Sequence, residues 1–260
     1  MSLFDSHCHL QVSRFDTVRS AVLERAKAAN VAGGVVMATA PDDWDDVESV
    51  CAVSDGWIPA FGAHPWYLPD LPLDQVLLRL EERLQFHPEA WAGEIGLDRT
   101  AGPPLALQEE WFAPQLKLAG TYQRPASLHC RRTWDRLGWY LKRRSALDVP
   151  VVCHSFGGSV AAAKQMLDLN AYLSFSGSVT RLRNERLPEV VRFVPRDRVL
   201  IETDSPDLLP EELWRQNPGK ANEPANLTYV LKRIAELWGL TPEAAAEILE
   251  TNFRKLAPLP

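Results

Sequence analysis

The sequence predicts an α/β fold, one parallel (β/α)8 barrel of the TIM type that takes in residues 1–260 as a single domain. Three observations carry this. Short apolar or β-branched runs alternate with longer amphipathic segments eight times, no shift in composition marks a linker, and 260 residues is a common length for one such barrel. A doubly wound open sheet is the other architecture with this alternation.

Residues 1–4 lead into the first strand, which reaches Asp5-Ser6-His7-Cys8-His9-Leu10. Residues 18–30 read as a helix, and Gly33-Gly34-Val35-Val36-Met37-Ala38 as the second strand. Helix 42–54 precedes strand 58–64, and helix 73–86 precedes strand 90–96. After a loop rich in Gly and Pro at 99–104, helix 105–120 leads to strand 125–129. Helix 134–145 then precedes strand 149–154, and helix 160–169 precedes strand 171–175. Helix 184–193 leads to the eighth strand at 199–204, and a final helical portion at 225–256 breaks near Gly239-Leu240-Thr241-Pro242. Segment 205–224, with Pro206, Pro210, Pro218 and Gly219, is long for a strand-to-helix connection and reads as a loop over the barrel mouth.

Hydrophobic content of 46% supports a sizeable core, and 24% charged residues without long charge runs excludes a disordered chain. The net charge of −6 argues against a protein that coats nucleic acid non-specifically, though not against an enzyme acting on phosphodiesters. Cys8, Cys51, Cys130 and Cys153 form no Cys-x-x-Cys pair and read as free thiols in a reducing compartment. No apolar stretch is long enough to cross a bilayer, so the expectation is a cytoplasmic protein with no membrane partner and an oligomeric state that the sequence leaves open, a monomer included.

His7 and His9 are two apart on a strand and so point the same way, making a chelating pair with Cys8 opposite. Glu94, His129, His154 and Asp204 fall at the ends of the fourth, fifth, sixth and eighth predicted strands. Those ends converge on one barrel face, where active sites of this fold are built. Each residue alone has an ordinary explanation, since Asp204 could cap a turn and His129 or His154 could be a satisfied core histidine. Their joint placement favours a metal centre. Four imidazoles and two carboxylates suit divalent Zn²⁺, Mn²⁺ or Mg²⁺, and a pair of such ions bridged by a carboxylate would use them all.

The same residues resemble a known family. Asp5-Ser6-His7-Cys8-His9-Leu10, Gly62-Ala63-His64-Pro65-Trp66, Gly93-Glu94-Ile95-Gly96-Leu97-Asp98, Leu128-His129-Cys130-Arg131, His154-Ser155-Phe156-Gly157-Gly158 and Ile201-Glu202-Thr203-Asp204-Ser205-Pro206 are similar to the motifs of the TatD family of metal-dependent deoxyribonucleases, as are Asn222-Glu223-Pro224 and Thr251-Asn252-Phe253. The resemblance implies that His7, His9 and Asp204 hold one divalent ion, His129 and His154 a second, and that Glu94 bridges them. It implies hydrolysis of a phosphodiester, commonly DNA and here expected from an end, by an activated water that Asp204 orients. Arg99 and Thr100 stand where the family often has an aromatic residue, which leaves the substrate itself open.

Around this set, Asp5 and Glu202 lie two positions before a ligand and are expected to steady ligand histidines, or else to form a buried ion pair. His64 is expected to contact substrate or the attacking water, Arg131 to clamp a phosphate oxygen, and Lys220 and Asn222 to bind substrate from the long loop. Trp66 and Phe156 are expected mainly to pack, with stacking on a base as the other role. Two further functions stay in view: hydrolysis of a small ester, amide or phosphoester on the same centre, and a non-catalytic metal-loaded subunit of a complex.

Overall fold

The computed structural model describes residues 2–143 and 149–257. Strands and helices alternate along the chain: β1 Leu3–Cys8, α1 Arg19–Ala28, β2 Val31–Met37, α2 Trp44–Ala52, β3 Trp57–Phe61, α3 Leu73–Phe86, β4 Trp91–Asp98, α4 Leu105–Thr121, β5 Ala126–Arg131 and α5 Trp134–Arg143. They continue as β6 Val151–Cys153, α6 Val160–Leu167, β7 Ala171–Phe175, α7 Arg186–Phe193, β8 Val199–Ile201, α8 Glu211–Gln216, α9 Leu227–Trp238 and α10 Pro242–Leu256. The sheet has eight strands in sequence order, and each neighbouring pair runs parallel. This is the (β/α)8 barrel, nearly closed.

Local chemistry accounts for the elements. On α3, Val76, Leu80 and Leu84 recur every four residues and form its buried stripe. The break between the last two helices is built from Gly239 in the left-handed region at φ 64° and from Thr241, whose side chain caps the Ala244 N–H ahead of Pro242. The seam between β8 and β1 is tied at the rim: Asp204 N donates to His7 O at 2.9 Å, and His9 N to Ser205 O at 2.8 Å.

The barrel interior changes character along its axis. Its floor is apolar, with Phe4, Val35, Met37, Trp91 and Leu200 packed together, and α10 plugs it from below with Phe253 and Leu256. The Phe4 and Phe253 rings stack at 4.8 Å. Above them polar side chains take over, beginning with the Ser6–Ser174 hydroxyl pair at 2.7 Å. A second apolar layer, including Cys8, Val36, Leu128 and Cys153, lies between sheet and helices.

Most element ends fall within two residues or so of the sequence reading, and a few differ in a way that bears on the site. Strands β3 and β8 stop at Phe61 and Ile201, because the backbone beyond them turns to bond across the rim instead of along a ladder. The 205–224 connection carries the short helix α8, and positions 144–145 of the predicted fifth helix lie outside the described residues. Among the described residues no helix is long and apolar enough to cross a membrane.

Phe253→Ala should remove the plug and lower unfolding free energy by about 3–5 kcal/mol, measured by urea denaturation. A loss below about 1 kcal/mol would mean that the floor closes without it.

Candidate metal centre

A register shift between Asp5 and Cys8 lets His7 face inward, with His9 just past the strand on the same side, while the Cys8 thiol turns outward to Val35 O at 3.5 Å. Glu94 comes from β4, His129 from β5, His154 from the residue after β6, and Asp204 from the turn after β8. β4 and β5 approach so closely that a Cβ on Gly96 would lie 2.0 Å from His129 O, so this register requires glycine.

Glu94 sits at the centre. Its Oε1 lies 2.8 Å from His154 Nε2, 2.9 Å from His129 Nδ1 and 3.2 Å from His64 Nε2. The other oxygen, Oε2, lies 3.2 Å from His7 Nε2 and 3.7 Å from His9 Nε2. Asp204 Oδ1 completes the second side, 3.5 Å from His9 Nε2 and 3.7 Å from His7 Nε2. Donor atoms of His7, His9 and Asp204 all fall within 4.8 Å of one another, as do those of His64, Glu94 and His129.

The outer ring nitrogens decide what the inner ones present. His9 Nδ1 lies 2.8 Å from Met37 O, and since a carbonyl only accepts, Nδ1 carries the hydrogen. A neutral His9 therefore aims the Nε2 lone pair at two carboxylates. Lone pairs facing lone pairs need a cation between them, so this set of nitrogen and oxygen donors fits a divalent metal ion. His64 behaves differently. Its Nδ1 accepts from Trp66 N at 3.0 Å, which leaves Nε2–H as a donor toward Glu94, and so the neutral ring is a hydrogen-bond donor in the site and not a ligand.

Protonation follows the same geometry. Burial and the nearby His154 hold His7 below the usual histidine value, and burial also lowers His64. Burial opposes the charged form of His9, yet Asp204 and Glu94 outweigh it and carry His9 up to about 9. His154 is raised well above the ordinary range against its burial, by Glu94 and Glu202. His129 is raised against its burial by Asp98 and Glu94. Glu94 itself falls well below the carboxylate range despite burial, because His154, His64 and His7 face it. Asp204 is lowered too, against its own burial, by its contact with His9.

Supporting residues differ in part from expectation. Glu202 Oε1 lies 3.4 Å from His154 Nδ1 and accepts Ser155 N at 2.5 Å, so it can hold that ring. Asp5 reaches no imidazole: its carboxylate accepts Thr203 N at 2.9 Å and Thr203 Oγ1 at 2.5 Å, and ties the barrel seam. Burial pushes Asp5 up to about 8, with the Thr203 bonds pulling the other way. Two buried partners were not anticipated. Asp98 Oδ2 binds His129 Nε2 and Trp66 Nε1, at 2.9 and 2.8 Å, while Ser127 Oγ pairs with His7 Nδ1 at 3.0 Å. Both sit an even number of residues from a site residue on the same strand, and that parity could have found them.

The predicted substrate contacts mostly lie elsewhere. Asn222 is fully buried, donates to Thr203 O at 2.9 Å and accepts Glu223 N and Asn226 Nδ2, so it satisfies the folded rim and does not face the mouth. Lys220 and Arg131 are exposed and do not line the cavity over Glu94. Phe156 packs against Trp134 and Phe175. The cavity, about 610 Å³, is lined by His9, His64, His129, His154, Glu94 and Asp204, and at its lip by Arg14, Trp66, Tyr67 and Asp207.

Comparison with known proteins gives a consistent set of likenesses. A family model described as TatD related DNase matches residues 4–258. An uncharacterized metal-dependent hydrolase, YabD of Bacillus subtilis, is 36% identical over 98% of both chains. A 3'-5' ssDNA/RNA exonuclease TatD of Rahnella is 31% identical, covering 99% of this chain and 98% of its own. The crystal structure of YjjV, a TatD homologue from Escherichia coli, superposes with a TM-score of 0.91 at 30% identity, over 99% of this chain and 98% of that one.

Two outcomes test the centre. Asp98→Asn should weaken metal binding about 10–100-fold, by titration calorimetry, while leaving the far-UV spectrum unchanged. Because His9 and His154 hold protons above their ordinary range, metal must displace them, so affinity should rise with pH toward about 9. Proton release, read from calorimetry in buffers of different ionisation enthalpy, should accompany binding at neutral pH, and its absence would mean that neither ring is displaced.

Proposed function

We propose, from the premise that this chain belongs to the family of TatD-related DNases, that it hydrolyses phosphodiester bonds, those of DNA foremost, from a chain end. By family it is a metal-dependent hydrolase. The observation that carries the finer reading is Glu94, whose two oxygens turn to two separate groups of imidazoles, His129 and His154 on one side and His7 and His9 on the other.

In this reading His7, His9 and Asp204 would hold one divalent cation and His129 and His154 a second, with Glu94 shared between them and Mg²⁺, Mn²⁺ or Zn²⁺ as candidates. Bound there, such ions bring the pKa of a water toward about 7 and offset charge on the attacking and leaving oxygens. Asp204, kept ionised at neutral pH, orients that water and accepts its proton. His64 directs its Nε2–H into the site, where a phosphoryl oxygen can accept it. Asp98 and Ser127 hydrogen-bond the rings of His129 and His7 and keep them from turning, and Glu202 lies 3.4 Å from His154 Nδ1. A cavity of about 610 Å³, open at its mouth, has room for a nucleotide-sized group, which favours the end of a strand over the middle of a duplex. Names of relatives such as the Rahnella exonuclease support the same substrate class.

The test is to strip metal, restore Mg²⁺, Mn²⁺ or Zn²⁺ singly, and follow labelled single- and double-stranded DNA beside a panel of small esters. Mononucleotides released from one end support the proposal; turnover of small esters alone would replace it with the small-molecule function, and no turnover at all with the non-catalytic one. Asp204→Asn should lower turnover by about 10²–10⁴-fold in a folded barrel, measured as initial rate beside circular dichroism. Near-full activity would show that another group handles the water.

A further inference from the structure

We infer that Arg14 anchors a second phosphate of the substrate, next to the one being cleaved, and so sets the preference for a polyanionic chain over a lone phosphodiester; this rests on the phosphodiesterase reading above. Arg14 lies in the turn that follows His9 and reaches the lip of the cavity. Among the described residues lining that cavity it is the only Lys or Arg. The carboxylates of Glu94, Asp204 and Asp207 and the imidazoles of His9, His64, His129 and His154 line the same cavity. In a chain of net charge −6, a strand extending past the reacting bond meets this one cation at the lip.

Its surroundings leave the charge available. Arg99, Arg136 and Arg181 are each taken up by a carboxylate, of Asp135, Glu109 and Glu211. Arg14 has no carboxylate within 4.0 Å among the described residues, and its recorded hydrogen bond runs from Nη2 to Gly219 O at 2.9 Å. That single bond fixes the guanidinium against the 205–224 connection, while Nε and Nη1 remain free to donate among the described residues. A guanidinium tethered through one Nη2 hydrogen keeps one edge with two parallel N–H groups, which matches the paired oxygens of a phosphate, and the tether reduces the entropy lost on binding. Tyr67, 52% exposed, lines the same cavity and offers a ring face to a base.

The experiment compares the metal-loaded wild type with Arg14→Ala and Arg14→Gln, the latter keeping a donor for Gly219 O without the charge. Substrates are a labelled single-stranded oligonucleotide and bis(p-nitrophenyl) phosphate, which has no neighbouring phosphate. Both variants should raise KM for the oligonucleotide about tenfold or more with kcat little changed, and leave bis(p-nitrophenyl) phosphate within about twofold. Equilibrium binding of the oligonucleotide with Ca²⁺ in place of the catalytic ion, by fluorescence anisotropy, should lose about 0.7 from its log–log salt slope. A purely structural role for the Gly219 tether would spare Arg14→Gln and leave that slope unmoved, and equal losses on both substrates would place Arg14 at the reacting centre; either overturns the anchor. If the wild type neither binds nor cleaves the oligonucleotide, the DNA reading falls and Arg14 with it, whereas an active wild type matched by both variants removes Arg14 alone.

Discussion

A buried carboxylate ringed by imidazoles is the constraint on which the rest of this structure turns. Glu94 has five imidazole nitrogens within 3.7 Å of its two oxygens, and the rings arrive from four strand ends, His7 and His9 sharing the first. No short segment could assemble that set. The barrel does so because each parallel strand points its last inward residue at the same axis. What makes the set chemically directed is the outer layer, in which Met37 O, Ser127, Asp98 and Glu202 each face the far nitrogen of one ring. Those contacts set which nitrogen looks inward, and a ring that turned over would break one of them.

Holding such a centre open places demands on the rim. The apolar floor of Phe4, Trp91 and Phe253 gives the barrel its cohesion and leaves the upper interior for polar groups. Near the mouth the backbone is less relaxed. Ser155, Asp204 and Leu208, none of them glycine, occupy the left-handed region at φ 39°, 55° and 48°. Strained residues persist only where their surroundings over-determine them, and here Ser155 N is held by Glu202, Asp204 N by His7 O, and the turn between them by Asp5 and Asn222 on Thr203. Asp5 and Asn222, expected near a ligand or a substrate, thus serve the centre indirectly, by fixing the turn that carries Asp204.

Much of this was legible in the sequence, for identifiable reasons. Helix α3 and strand β7 fall at their expected residues, because in each an apolar pattern is bounded by turn residues that end it. The inward place of His129 follows from the period of two, whereas His7 and Glu94 turn inward across register shifts at 5–8 and 92–95, which alternation alone does not foresee. Where backbone pattern stops governing, the reading weakened. Strand β8 was carried on to Asp204 although Glu202 to Asp204 bond across the rim, and a polar Asn222 in a proline-rich loop looks the same whether it greets a ligand or satisfies a buried carbonyl. Asp98 and Ser127 were within reach of the parity already applied to Asp5 and Glu202. Arg14 was not, because its place at the lip depends on a turn and on a partner more than 200 residues away in sequence.

Net charge and local field part company in this molecule. An overall charge of −6 repels a polyanion at long range, and the carboxylates of Glu94 and Asp204 would repel it at short range. A pair of divalent cations in the proposed sites would bring four positive charges against those two carboxylates, reversing the sign of the field within the barrel mouth only. Away from the cavity Arg99, Arg136 and Arg181 pair with acids, whereas Arg131 and Lys220 stay exposed. The cavity over Glu94, about 610 Å³, is where the proposed cations would turn the potential positive.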